Sequence, residues 1–439
     1  MEREDVLRFV EDNDVKFIRL QFTDIAGIMK NIAVNEGNVE NALNGVYFDG
    51  SSIEGFARVE ETDMLLKPDF ETLNMIPWRP QQGRVARLIS DVFLQEGIPF
   101  EGDPRFILKK TLAAASSKGY TFDVGPECEF FLFHTDDKGL PTTKTHDTAG
   151  YFDLAPIDLG EDARREMCLV LEDMGFLIDA SHHEAAAGQH EIDFRHDEAL
   201  KTADNIMTFK MVVKIIAKKH GLHATFMPKP LRDEAGSGMH INMELFKNGE
   251  NVFKNIDDPI GLSTEAYHFI GGIFRHIDAI TALTNPLVNS YKRLVPGNEA
   301  PCFTTWARKI RSPLIRVPVF KNGCVRLEIL SPDATCNPYL ALSVLLAAGL
   351  EGIEQGIEPP AETFSNPYYM TAEELESAGI KRLPESLGDA LSAFEKDELI
   401  RNTLGDHTFL RYLSVKRNEW QEYCRQVNDW EVGRYLNIY

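Results

Sequence analysis

The stretch Gly125-Pro126-Glu127-Cys128-Glu129-Phe130-Phe131-Leu132-Phe133 constrains this chain more than any other. Read as a strand, its period of two sends Glu127 and Glu129 to the same face. The phenylalanines make the surroundings apolar. Two carboxylates side by side there repel one another and are costly to bury unpaired. A divalent cation resolves both problems; a strand edge with two solvated glutamates is the alternative.

Three further stretches carry chemistry. In His182-His183-Glu184-Ala-Ala-Ala-Gly188-Gln189-His190-Glu191, a Gly-containing turn separates Glu184 from Glu191, and a hairpin would bring them together. A zinc peptidase needs H-E-x-x-H, but Phe194 stands where the second His belongs, so that reading fails. His182, His183 and His190 are therefore expected in structural hydrogen bonds. Gly236-Ser237-Gly238-Met239-His240 is not a dinucleotide fingerprint, and the chain has no P-loop. Its glycines predict close approach of a ligand to the backbone beside His240. Arg293, Arg308, Arg311 and Arg316 surround the Pro296-Gly297 loop and suit a phosphate or carboxylate clamp. The run Arg316 to Asp333 reads as a hairpin turning at Asn322-Gly323, with Arg326, Glu328 and Leu330 on one face. A solvated face is the other reading of each.

Strand-like runs at Val15–Phe22 and Val85–Phe93 give a strand-rich unit over the first hundred residues. Asp103, as N-cap, and Pro104 then open a helix that Gly119 stops. Further helical patterns at 161–174, 198–220, 263–284, 338–356 and 407–426 alternate with strands, which makes an α+β chain divided as 1–100 and 101–439. With 46 Lys and Arg against 68 Asp and Glu, the net charge is −22, which argues against nucleic acid or an anionic membrane as partner. The longest apolar run, Tyr339–Leu350, is short of the roughly 20 residues a membrane span needs and reads as a core helix. A charged Met-Glu-Arg-Glu-Asp start and six scattered cysteines without a C-x-x-C pair predict a cytoplasmic protein without disulfides.

Taken together, these motifs closely resemble the type I glutamine synthetases of bacteria and archaea, from Phe48-Asp49-Gly50-Ser51-Ser52 to Trp430-Glu431 and Tyr435. The resemblance implies a small N-terminal β-grasp-like domain and a catalytic domain with a curved antiparallel sheet backed by helices. It implies an ATP-dependent ligase joining ammonium to glutamate, with Mg²⁺ or Mn²⁺ as cofactor. By it, Glu129, Glu184 and Glu191 hold one metal, and Glu127, His240 and Glu328 the other. Arg293 and Gly236 belong to the glutamate pocket, Arg311 to the transferring phosphate, and Arg316, Arg326, Asp179 and Phe194 to the nucleotide. Asp49 binds ammonium and enters a neighbouring subunit's site within a homo-oligomer, a dodecamer of two hexameric rings. Glu299 lies on a flap that shields the intermediate and takes a proton. Arg58 matches a feedback-sensing Arg, its other reading being a surface salt bridge, and a small regulatory protein is a candidate partner. Tyr368 and Tyr369 lack the neighbouring acidic residue of an adenylylation site.

Three positions depart from the family pattern. Ala235 stands for an Asn of the glutamate pocket, Asn298 for a flap Tyr, and Leu330 for an Arg that contacts substrate carboxylate. Removing one partner of a buried ion pair costs about 3–5 kcal/mol. That is roughly two to four orders of magnitude in glutamate handling unless Lys309 or Arg308 compensates. The alternatives are a related ligase for another acid or amine, or a weakly active nucleotide-binding regulator.

Overall fold

In the computed structural model, residues 1–53, 55, 63–78, 83–297, 300–310, 313–318 and 325–439 are described. Arg58, Asn298, Glu299, Arg311 and the Asn322-Gly323 turn lie outside them. The first unit is a five-stranded sheet in the order Met29–Asn35, Val15–Thr23, Arg84–Leu94, Asp63–Met75, Val46–Asp49. Its two central strands, Val15–Thr23 and Arg84–Leu94, run parallel and its other pairs antiparallel. The alternating apolar residues of those strands, Ile18, Leu20, Leu88 and Val92, form its core with Val6 of the first helix.

Asp103 caps the helix Pro104–Ser117 as its sequence predicts, accepting from the Arg105 amide at 3.0 Å. Its second oxygen accepts from the Val92 amide at 2.9 Å and so ties the helix start to the first sheet. Arg105 ties it more strongly. Its guanidinium forks onto Asp204 at 3.0 and 2.8 Å and also reaches Asp91 at 2.7 Å and Asp69 at 2.8 Å. Bidentate charge-assisted bonds of this kind are directional. This one side chain therefore orients the first sheet, through Asp69 and Asp91, against the helix Ala199–Lys219 that carries Asp204.

The second sheet has eleven strands and centres on Tyr120–Thr135, a strand of 16 residues. Met239–Lys247 pairs with one side of it and Gln189–Phe194 with the other, both antiparallel. Beyond them lie Leu327–Ile329, Ile315–Arg316 and Trp306–Ala307 at one end and Ile178–His183 at the other. The solvated-edge reading of Glu127 and Glu129 thus fails, because their strand is interior. One pair, Trp306–Ala307 with Ile315–Arg316, is parallel, so the sheet is mixed rather than wholly antiparallel. Leu327 and Ile329 point into the core, as the alternation predicts.

Helices Glu161–Asp173, Ala199–Lys219, Thr264–Thr284, Pro338–Gln355 and Asp406–Cys424 fall within a residue or two of their sequence patterns. No helix among the described residues is long and apolar enough to cross a membrane. Cys128, Cys168, Cys302, Cys336 and Cys424 are free, and Cys324 lies outside the described residues. Thr264–Thr284 and Pro338–Gln355 cross at glycines. A Cβ on Gly352 would stand 2.0 Å from the His268 carbonyl oxygen and 2.8 Å from the Gly272 Cα, both backbone. Neither helix can yield without separating. Gly352→Ala is therefore expected to lose about 1–3 kcal/mol and lower the melting temperature by several degrees, read by differential scanning fluorimetry.

Candidate active site

Sheet order brings distant carboxylates together. Glu127 sits opposite His240 on one neighbouring strand and opposite Asp193 on the other, while Glu129 faces Glu191. His240 Nδ1 lies 3.4 Å from Glu127 Oε2 and 3.8 Å from Glu328 Oε1. Asn242 donates to Glu127 Oε1 at 2.9 Å, and Arg316 donates to Glu328 Oε2. Glu328 is fully buried, and its Oε1 has no hydrogen-bond partner among the described residues. Glu127, His240 and Glu328 each offer one ligand atom, mutually within 4.8 Å.

The second group hangs on the hairpin. The Glu184 amide bonds to the Gln189 carbonyl at 2.8 Å, and the turn needs Gly188, whose φ is +71° and whose Cβ would sit 2.9 Å from the Leu132 carbonyl oxygen. Glu184 and Glu191 converge as expected, but the third residue with a ligand atom within 4.8 Å is His182. The sequence reading gave His182 no ligand role. The strand alternation that points Glu184 into the cavity sends His182 to the same face, a signal that was available. Glu129 lies alongside, with Oε2 held by the Gln189 amide and the Gly238 N–H, each at 2.9 Å.

The electrostatics follow from crowding. Burial, then the Glu129 charge, pushes Glu184 up to about 7. Burial, Glu129 and Asp193 raise Glu191 well above the carboxylate range. Glu127 goes the other way, to about 2, because bonds from His240 and Asn242 outweigh its burial. His240 is raised by Glu127 and Glu129 against the opposing effect of burial. A set of carboxylate oxygens with one or two imidazoles, one buried oxygen unpartnered, fits hard cations such as Mg²⁺ or Mn²⁺.

Glu127, Glu129, His182, Glu184, Glu191 and His240 line a cavity of about 560 Å³ with Arg293, Arg308 and Arg316, while Glu328 lies buried against His240. Arg293 is buried and donates to the carbonyls of Ser331 at 2.8 Å and Leu330 at 3.1 Å. A Cβ on Gly238 would lie 2.5 Å from its Nη2, and one on Gly236 3.1 Å from its Cγ. Gly238 therefore makes room for Arg293, and Gly236 for the Pro228 carbonyl, 2.4 Å from such a Cβ, as well as for Arg293, while Gly236 also lines the cavity. Arg308 is committed to Glu362, at 3.0 Å from both oxygens, while Lys309 and Arg316 are exposed cations among the described lining residues. Ala235, Ala300, Ile310 and Leu330 form an apolar wall.

Other candidates stand apart. Asp49 is exposed and held below the usual carboxylate range by Ser51, whose hydroxyl donates at 2.6 Å. Asp179 pairs with Arg195 at the surface, 3.2 Å away. Phe194 is buried in the core, edge-on to Phe176 with centroids 5.3 Å apart. His183 and His190 make structural bonds, as expected. His183 lies 3.3 Å from Asp147 Oδ1, and His190 Nδ1 accepts from Arg164, which also holds Asp158, each at 2.8 Å. Asp147 in turn accepts from the Gly188 amide at 2.8 Å, so this buried knot braces the hairpin that presents Glu184 and Glu191.

The chain is similar to known proteins along its whole length. Residues 101–435 match the glutamine synthetase catalytic domain and residues 14–95 the glutamine synthetase beta-Grasp domain. A glutamine synthetase of Clostridium saccharobutylicum is 56% identical over 438 residues, covering 100% of this chain and 99% of that one. One of Staphylococcus aureus is 52% identical over 439 residues, covering 100% and 98%. Among solved structures, a GmaS/ADP complex superposes with a TM-score of 0.90 at 34% identity, and a Plasmodium falciparum glutamine synthetase with 0.88 at 25%, each covering 99% of both chains. With both domains matched and its carboxylates gathered in one cavity, this chain belongs to the glutamine synthetase family.

Proposed function

We propose that the protein is a working glutamine synthetase that ligates ammonium to the γ-carboxylate of L-glutamate at the expense of ATP. The observation that carries this is the meeting of Glu127 and His240 with the buried Glu328, at a cavity that Glu127, His240, Glu184, Glu191, Arg293 and Arg316 line. Glu127, His240 and Glu328 would hold one divalent cation, and Glu184 and Glu191, with Glu129 and His182 beside them, a second. Cations bound there neutralise charge on the triphosphate.

The chain's own groups do the rest. Arg316 and Arg326 face the nucleotide, with Asp179 and Phe194 on the segments flanking it, and Arg311 meets the transferring phosphoryl group. Arg293 and Gly236 bound the glutamate end. The γ-carboxylate attacks the γ-phosphorus, ADP leaves, and ammonia displaces phosphate from the γ-glutamyl phosphate. Asp49 binds ammonium and Glu299, on the flap, accepts a proton. Asp49 is exposed and outside this chain's own cavity, which supports a site shared between subunits of a dodecamer of two hexameric rings. Arg58 is the candidate for feedback sensing, a small regulatory protein a candidate partner, and the cytoplasm the setting.

Phosphate release from ATP with Mg²⁺ tests the reading: it should require both glutamate and ammonium. Turnover with another acid or amine alone would replace glutamate or ammonium in the scheme, and no turnover would leave a nucleotide-binding regulator. Glu328→Gln, which removes a buried charge from a ligand set, should weaken Mn²⁺ binding at least about tenfold, measured by calorimetry on the metal-free protein. Leu330→Arg should lower KM for glutamate by about tenfold or more, with KM for ATP little changed. An unchanged glutamate KM would show that the apolar wall does not limit substrate binding.

A further inference from the structure

Arg326 stands two residues before Glu328, and its Nη1 lies 2.7 Å from His196 Nε2. A guanidinium only donates, so Nε2 accepts and the ring proton of neutral His196 sits on Nδ1. That nitrogen is 2.9 Å from Glu244 Oε2. Asn251 closes the arrangement, donating to Glu244 Oε1 at 3.4 Å and to the carbonyl of Val325, the residue before Arg326, at 2.9 Å. The imidazole also lies against the central strand at Gly125. A Cβ at Gly125 would stand 2.2 Å from His196 Cδ2 and 2.5 Å from Nε2, so only glycine leaves the ring its place. Arg326 and the Gly125 backbone thus hold the ring from two sides, while Glu244 stands at ion-pair distance from Nδ1 without hydrogen-bond geometry.

We propose that His196, seated on Gly125 and backed by Glu244, is a positioning residue that holds Arg326 in the orientation in which it meets the nucleotide's phosphates. This rests on the assignment of Arg326 to the nucleotide made above. An arginine held at one guanidinium nitrogen by a fixed acceptor has fewer rotamers to lose when an anion binds, so the contribution appears in affinity for the nucleotide. None of the three residues touches substrate in this scheme.

Steady-state kinetics on the full-length, assembled protein test it. His196→Phe should raise KM for ATP about tenfold while KM for glutamate stays within twofold and kcat at saturating ATP falls less than about threefold. His196→Gln, whose side-chain carbonyl can accept from Arg326, should restore most of the affinity. Gly125→Ala, which displaces the ring, and Glu244→Gln, which removes its backing charge, should shift KM for ATP in the same direction. They supply the answer if His196→Phe does not assemble. Because His196 acts through Arg326, the double variant Arg326→Gln/His196→Phe should be no worse than Arg326→Gln alone. An unchanged KM for ATP in the assembled His196 and Gly125 variants, or multiplicative losses in the double variant, overturns the proposal. If Arg326→Gln itself leaves KM for ATP unchanged, the nucleotide assignment fails first and the relay falls with it.

Discussion

Like charges crowded onto one face of a buried sheet govern this structure. Glu127, Glu129, Glu184 and Glu191 open into a single cavity, with Glu328 fully buried beside His240, and their mutual repulsion is not cancelled by the protein alone. Where fixed donors exist, the fold supplies them: Asn242 and His240 at Glu127, Arg316 at Glu328, Gln189 and the Gly238 amide at Glu129. Glu127 stays ionised for that reason. Among the described residues Glu184 and Glu191 have no Lys or Arg bonded to them, only His182 at 3.7 Å from Glu184, and burial with repulsion lifts both. That imbalance is what a chain looks like when its charge complement arrives with the metal and nucleotide.

Holding such a site together requires bracing behind it. Arg164 joins Asp158 to His190 beneath the hairpin, and Asp147 anchors the turn through the Gly188 amide. These are buried ionic contacts, which on balance add little to stability over apolar packing but fix geometry, even though His190 Nε2 and Asp147 Oδ2 have no hydrogen-bond partner among the described residues. Arg105 does the equivalent work between the first sheet and the helix Ala199–Lys219 through Asp69, Asp91 and Asp204. The relay from Glu244 through His196 to Arg326 belongs to the same style of construction.

Local features of the fold were legible because their causes are local. Asp103 and Pro104 cap a helix wherever it packs, and period-two alternation places Glu127 and Glu129 whatever lies beside them. The ligand set was partly legible for the same reason, through strand faces and one hairpin. Contacts between strands were not. His240, Glu127 and Glu328 meet because strands distant in sequence become neighbours in the sheet, an order no spacing rule contains. His182 was set aside on the ground that histidines are commonly structural, although its neighbours His183 and His190 are the ones that fit that description. Glycines 236 and 238 were read correctly as a close approach, but their partner is Arg293, some 55 residues downstream.

The altered pocket can be placed by the same logic. Leu330 donates its amide to the Leu314 carbonyl at 3.0 Å and accepts from Arg293 through its own carbonyl at 3.1 Å. Both contacts are backbone contacts and are indifferent to the side chain. The strand therefore keeps its register with Leu or Arg at this position, and Glu328, two residues away, keeps its place over His240. An arginine here would bring a second guanidinium close to Arg293, whose own guanidinium is already buried and lowered by desolvation. Leucine avoids that repulsion, and in the proposed assignment of the site it does so at the cost of a donor to the substrate carboxylate. In that assignment the change is confined to the amino-acid end, and the residues proposed for metal and nucleotide are other ones.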